Sequence, residues 1–266
     1  EFKLVFPRLR NGAKYFDFSE GAEVSGGFNI WGVQLKSNEL PELKLPKAML
    51  AQEVDKEAPL EVPELKYGEA IVKGKVLDYQ AGMPDVVRII AFNPLVGYDG
   101  ESEAKIEADG TFSYAMPVLG TMRTVVSYGE MGVNAEIFAA PGQVSEVHLN
   151  IREGARKRSK FHAENASYGK LYYYQGPMEN LVREMPEANL LMMQHLGKSD
   201  TYDFGKKPLD LLKEYKQNEA AKIEKAREAV LNSPLGNATK AYLDAHISMQ
   251  QMTSLLEAPN LLTGKY

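Results

Sequence analysis

From Gly68 to Arg152 the chain reads as about seven short strands in a row, with turn residues between them and no helical period inside. Val72, Gly74 and Val76 take one face of the first run, and Ile71, Lys73 and Lys75 the other. In the next run Val87, Ile89 and Ala91 oppose Val86, Ile90 and Phe92, so both faces are apolar, the mark of a strand covered on two sides. Ala108-Asp109-Gly110-Thr111 is the sharpest local signal. Its Asp-Gly pair supplies the positive φ angles of a tight two-residue hairpin. Phe112, Tyr114 and Met116 then point one way and Ser113 and Ala115 the other, and the alternation continues to residue 151 with Pro141-Gly142 as a turn. Strands of this length and spacing predict an antiparallel β-sandwich of about 85 residues, with a barrel as the competing architecture. Ile89, Phe92, Phe112, Ile137 and Leu149 are its expected core.

The flanks differ in character. Residues 1–40 hold two aromatic-rich pieces, around residues 15–21 and 28–33, that read as strands ending at glycine turns. Residues 41–66 turn to proline and acid, as in a linker or extended arm, with a short helix around 47–54. The sandwich occupies 67–153 and a helical region 154–266, so the fold class is α+β. Leu212, Tyr215, Ile223, Ala226 and Val230 form one face of a helix over 208–231. Ser233-Pro234 predicts the start of a last helix that buries Ala238, Ala241, Tyr242, Ala245, Met249, Met252 and Leu256 and stops before Pro259. Residues 178–185 and 188–196 read as two shorter helices broken at Pro186.

Composition excludes several functions. With 31 basic and 36 acidic residues (net −5) and no basic stripe carrying aromatics, nucleic acid is not an expected partner. Arg156-Lys157-Arg158 reads as a solvated junction in preference to a phosphate or headgroup site. No apolar run reaches the ~20 residues of a membrane helix. The chain opens at Glu1 already inside an alternating run, so residues upstream are expected, with room there for an export signal or a lipid-bearing cysteine. There is no cysteine, hence no disulfide, thiolate metal site or thiol nucleophile within these residues.

Tyr15-Phe16-Asp17-Phe18-Ser19-Glu20-Gly21 followed by Phe28-Asn29-Ile30-Trp31-Gly32 resembles a motif pair near the start of TlpA-type thioredoxin-like lipoproteins of Gram-negative gut anaerobes. Gly74-Lys75-Val76-Leu77-Asp78-Tyr79 with Gly82-Met83-Pro84, Asp109-Gly110-Thr111-Phe112-Ser113 and Ala140-Pro141-Gly142 resembles the β-sandwich of the same proteins. In that family a helical segment follows, and then the thioredoxin domain. The resemblance implies an extracytoplasmic, lipid-anchored location, in the periplasm or at the outer membrane. It transfers no functional residue, because the sequence stops at Tyr266, where such a domain would begin, and lacks the cysteines of its chemistry.

A search for reactive groups yields little. His148, His162, His195 and His246 share no metal-ligand spacing, so packed or solvated imidazoles are expected and no metal or cofactor is assigned. No nucleophile elbow or nucleotide-binding glycine loop is present. Asp17, Glu20 and Glu23 offer carboxylates for glycosidase chemistry, but exposed loop charges are the plainer reading. Trp31 and the run Tyr172-Tyr173-Tyr174 are the candidate ligand-binding residues, since exposed rings stack on sugars or anchor partners. Core packing is the favoured role of Trp31. Along a strand the tyrosines must divide between two faces, one or two buried and the remainder exposed.

The expectation is therefore a non-catalytic binding or positioning module of an exported lipoprotein, its partner another envelope protein. Two alternatives stand beside it. One is an accessory that binds glycan or peptide for an outer-membrane nutrient importer. The other is the N-terminal part of a thiol-disulfide oxidoreductase whose thioredoxin domain lies beyond Tyr266.

Overall fold

Two short strands, β1 (Tyr15–Ser19) and β2 (Asn29–Gln34), pair antiparallel, and a single helical turn, α1 (Lys47–Leu50), follows them. The alternating block then forms β3 (Gly68–Leu77), β4 (Val86–Asn93), β5 (Tyr98–Lys105), β6 (Thr111–Val118), β7 (Met122–Tyr128), β8 (Val133–Ala139) and β9 (Val144–Asn150). After α2 (Ile151–Arg158) the chain returns as β10 (Tyr172–Gln175) before three longer helices, α3 (Glu179–Leu196), α4 (Pro208–Asn232) and α5 (Asn237–Leu261). The computed structural model describes residues 5–19, 29–36, 42–50, 53–93, 98–129, 132–158, 168–196 and 208–261. Glu20, Glu23 and His162 lie outside them, as does the start of the chain through residue 4. Among the described residues no helix is long and apolar enough to cross a membrane.

Two four-stranded sheets, ordered β10-β9-β3-β6 and β5-β4-β7-β8, make the predicted sandwich. Val72, Val76, Phe112 and Leu149 of the first meet Val87, Ile89, Val126 and Ile137 of the second in one buried cluster. The chain changes sheets between β3 and β4, between β5 and β6, between β6 and β7, and again between β8 and β9. Strands β3 and β9 thereby become neighbours, and they run parallel while the other pairs are antiparallel. Gly74 permits that contact: a Cβ there would collide with the Val147 carbonyl oxygen and sit 2.9 Å from the Phe112 ring.

Several expectations need correcting. The Asp109-Gly110 turn is not a two-residue hairpin. Only Gly110 has positive φ (+85°), its N–H donates to Glu107 O, and Glu107 N–H donates to Thr111 O, as in a wider turn closed by a left-handed glycine. The strands beside it separate into different sheets after the Ile106–Phe112 bridge. Phe92 is not core. It lies half-buried on the outer face of its sheet with the Arg123 guanidinium 4.7 Å above its ring.

The helices differ as well. α3 runs through Pro186, which costs about 3 kcal/mol in a helix interior. Pro186 is exposed, and Leu181, Val182, Met185 and Ala188 on either side bury one continuous stripe, to which the three larger side chains contribute up to about 1.5–3 kcal/mol each. α5 begins at Asn237, because Ser233 bonds back to Val230 O and closes α4. It also continues past Pro259 to Leu261. Its buried residues are Ala238, Thr239, Leu243 and Ile247, with Tyr242 half-buried, whereas Ala241, Ala245, Met249, Met252 and Leu256 are exposed. The α4 face is as expected in its second half: Ile223, Ala226 and Val230 are buried with Leu235 and the α5 residues.

One carboxylate joins these parts. Glu184, 3% exposed on α3, accepts from Gly236 N–H and from the Thr239 hydroxyl at the start of α5, and pairs with the Lys56 ammonium. Residues 53–57 are thereby held to the helices, reinforced by Asn237 N–H to Lys56 O (2.8 Å) and Asp55 N–H to Asn180 Oδ1 (3.1 Å). Burial works against the charge of Glu184, but Lys56, Thr239 and Gly236 outweigh it and hold the group below the ordinary carboxylate range. A depressed folded pKa adds stability above the ordinary glutamate value, lost as pH falls through the folded value. Glu184→Ala should cost about 3 kcal/mol, since it strands a buried N–H and hydroxyl. Urea denaturation at pH 7 and pH 4 should show the difference between wild type and variant shrinking in acid.

Candidate functional site

Residues 67, 69, 71, 73 and 75 of the β3 region face away from the core, so the outer surface of the β10-β9-β3-β6 sheet can be read in rows. Tyr173, His148, Lys75 and Thr111 form one row across the four strands, and Gln175, Glu146, Lys73 and Ser113 the next. Val144, Ile71 and Ala115 follow. Beyond them an open groove of about 430 Å3 is lined by Lys66, Tyr67, Glu69, Ile71, Gln143 and Val144. Tyr67 is 74% exposed at its edge.

The polar rows are wired together. Glu146 takes Lys73 Nζ at 3.3 Å on one oxygen and His148 Nε2 at 3.1 Å on the other. Burial opposes the Glu146 charge, yet His148 and Lys73 together hold it below the usual carboxylate range. His148 is 7% exposed although it lies on the outer face, and its Nδ1 is buried with no hydrogen-bond partner. Burial lowers its pKa, and Glu146 offsets only part of that. The imidazole is therefore neutral at pH 7, with Nε2–H donating to Glu146 and a lone pair on Nδ1. Among the described residues no group of three or more His, Asp or Glu could hold a metal ion.

The aromatic candidates divide by parity. Tyr172 and Tyr174 pair with Leu149 and Val147 and point inward; Tyr173 pairs with His148 and points outward, half-buried. Tyr174 Oη lies 2.9 Å from Phe138 O and 2.8 Å from Pro177 O, and Tyr172 Oη lies 3.4 Å from Glu136 O. Burial pushes both phenols well above their ordinary range. These two rings tie β10 to the edge of the other sheet, which leaves Tyr173 as the member of the run on the candidate face. Burial, with the Glu153 charge behind it, raises the Tyr173 phenol too. Trp31 is elsewhere. It packs half-buried on the core beside Gly82, whose Cβ would sit 3.5 Å from its ring.

The other candidates do not join this face. Asp17 accepts Gly32 N–H at 2.7 Å and braces the first hairpin. His195 is half-buried at the end of α3, and His246 is exposed on α5. Glu153 on α2 accepts Gly169 N–H (2.8 Å) and Arg156 (2.7 Å), fixing the approach to β10. Burial opposes its charge, but those two donors hold it below the usual carboxylate range. Sequence reasoning missed Tyr67 and the buried state of His148. Alternation with Glu146 and Asn150 places His148 on a polar face but does not show that neighbouring strands enclose it.

No family model, curated protein or solved structure matches the chain.

Tyr174→Phe should cost about 1–2 kcal/mol in urea denaturation, because buried carbonyls lose their hydroxyl donor. Tyr173→Phe should change stability by less than about 0.5 kcal/mol.

Proposed function

We propose that the chain is a non-catalytic binding and positioning module of an exported lipoprotein, with another envelope protein as its partner. The observation that carries this reading is the bare side of α5. Met249, Met252 and Leu256 are 67%, 61% and 72% exposed, and residues 247–256 contain no ionisable side chain. Charge depletion with methionine enrichment is the composition of an interface centre, and methionine adapts its shape to a partner. The neighbouring surface of α4 is dense in lysine and glutamate by contrast.

The fold supports that use. Glu184 holds the first turn of α5, and five residues beyond each of these points Asn189 and Tyr242 both reach β8, at Glu136 and Phe138. α3 and α5 therefore leave the Glu184 node in the same direction. α3 ends at Leu196, while α5 continues to Leu261, about 20 Å further at 1.5 Å per residue. Met249 lies level with the end of α3, and Met252 and Leu256 lie on this extension.

A second reading, capture of glycan or peptide on the outer sheet face, draws on the groove beside Tyr67 and on Tyr173. Flat rings beside Gln143, Glu69 and Lys66 combine stacking with hydrogen bonding.

The double variant Met249→Glu/Met252→Glu should keep wild-type stability, since both side chains are exposed, and should lose a cross-linked envelope partner that wild type retains. Retention of that partner by the folded variant would refute docking through α5. Calorimetry with soluble glycans and peptides, using Tyr67→Ala and Tyr173→Ala as controls, separates the second reading.

A further inference from the structure

The outer face ends on one side at β10. This strand is four residues long and forms an edge of its sheet: its backbone pairs with β9 alone, and the Tyr172 and Tyr174 hydroxyls hold it to β8. Tyr173 at its centre lies in register with His148. The groups that face the imidazole are Glu146 on its own strand, Lys73 and Lys75 on β3, and Tyr173 on β10. In the neutral ring Nε2–H serves Glu146, and Nδ1 is a buried acceptor with no donor. A second proton would bury an N–H without an acceptor beside two ammonium groups.

We infer that His148 is an acid-sensitive latch on β10: uncharged, it lets the strand lie against β9, and on protonation it releases the strand. Release would also withdraw the Tyr172 and Tyr174 hydroxyls from the β8 carbonyls, so mild acid would loosen one side of the sandwich and remodel the candidate face. The lowered pKa of the buried ring agrees with this geometry. The sign follows: an opened strand binds the proton near the ordinary imidazole value of about 6.5, the closed one only at lower pH, so closure weakens as pH falls below about 6.5. Glu146 and Glu153 are both held below the usual carboxylate range, so among the groups around this ring His148 is the one that changes charge in this window.

Hydrogen exchange resolved at Tyr172–Gln175, corrected for the intrinsic pH dependence of exchange, tests the latch between pH 7.5 and 5. Protection of these amides should fall about tenfold per unit of separation between the open and closed imidazole pKa, while the β4–β5 pair, at the far side of the other sheet, keeps its protection. His148→Gln, which preserves a donor toward Glu146 but does not titrate, should abolish the fall. An NMR titration of the wild-type ring needs no variant and should give a midpoint below about 6.5. A midpoint at or above that value, protection that ignores pH, or an equal fall in His148→Gln would overturn the inference.

Discussion

Strand β8 ends its sheet, and an open strand edge leaves backbone carbonyls that water or another group must satisfy. Here the opposite sheet supplies the donors. The hydroxyls of Ser145 and Tyr174 reach Phe138 O, and that of Tyr172 reaches Glu136 O. This seam positions much of the rest. It fixes which way β10 faces, so that alternate residues of a three-tyrosine run serve the interior while the middle one meets His148 on the outer surface. It also sets the level at which α3 follows, since Pro177 O takes part in the same cluster just before that helix begins.

The second organising contact is ionic. A carboxylate as enclosed as Glu184 costs several kcal/mol to desolvate and is tolerated because backbone N–H, hydroxyl and ammonium donors surround it. By binding the first turn of α5 it caps a helix whose own preceding residue, Gly236, has no side chain with which to do so. It also binds Lys56, so a proline-rich stretch with little secondary structure lies along the bundle at that point. The distal half of α5 extends beyond α3, which is how a helix with apolar residues on two sides comes to bury one side and leave the other bare.

The two surfaces considered for function have different physical origins. The outer sheet face is polar, with Glu146 paired to Lys73 and His148 along rows that strand register imposes. The α5 surface is made of methionine and leucine on a single helix and is free of charge. Polar platforms with set hydrogen-bonding groups favour small ligands, and adaptable apolar ridges favour protein partners. The second is the surface on which the proposed positioning role rests.

Much of the sandwich was legible in the chain because alternation is a local signal: Val72, Val76, Ile89, Phe112 and Leu149 are inside as their parity requires. The tyrosine run likewise had to divide between two faces. What remained hidden depends on contacts between residues distant in sequence. Pro186 is tolerated because a continuous buried stripe outweighs it. The buried side of α5 is Leu243 and Ile247, not Met249 and Met252, because both stripes are apolar and the positions of α3 and α4 select one. His148 looks like an ordinary polar-face histidine until β3 and β10 close on either side. By itself, then, the sequence determined that a block of alternating strands is followed by helices and which strand faces are apolar, since these follow from side-chain spacing along one segment. Tertiary structure alone decided which apolar faces find partners and which ionisable groups lose water, because both require segments far apart in the chain to meet.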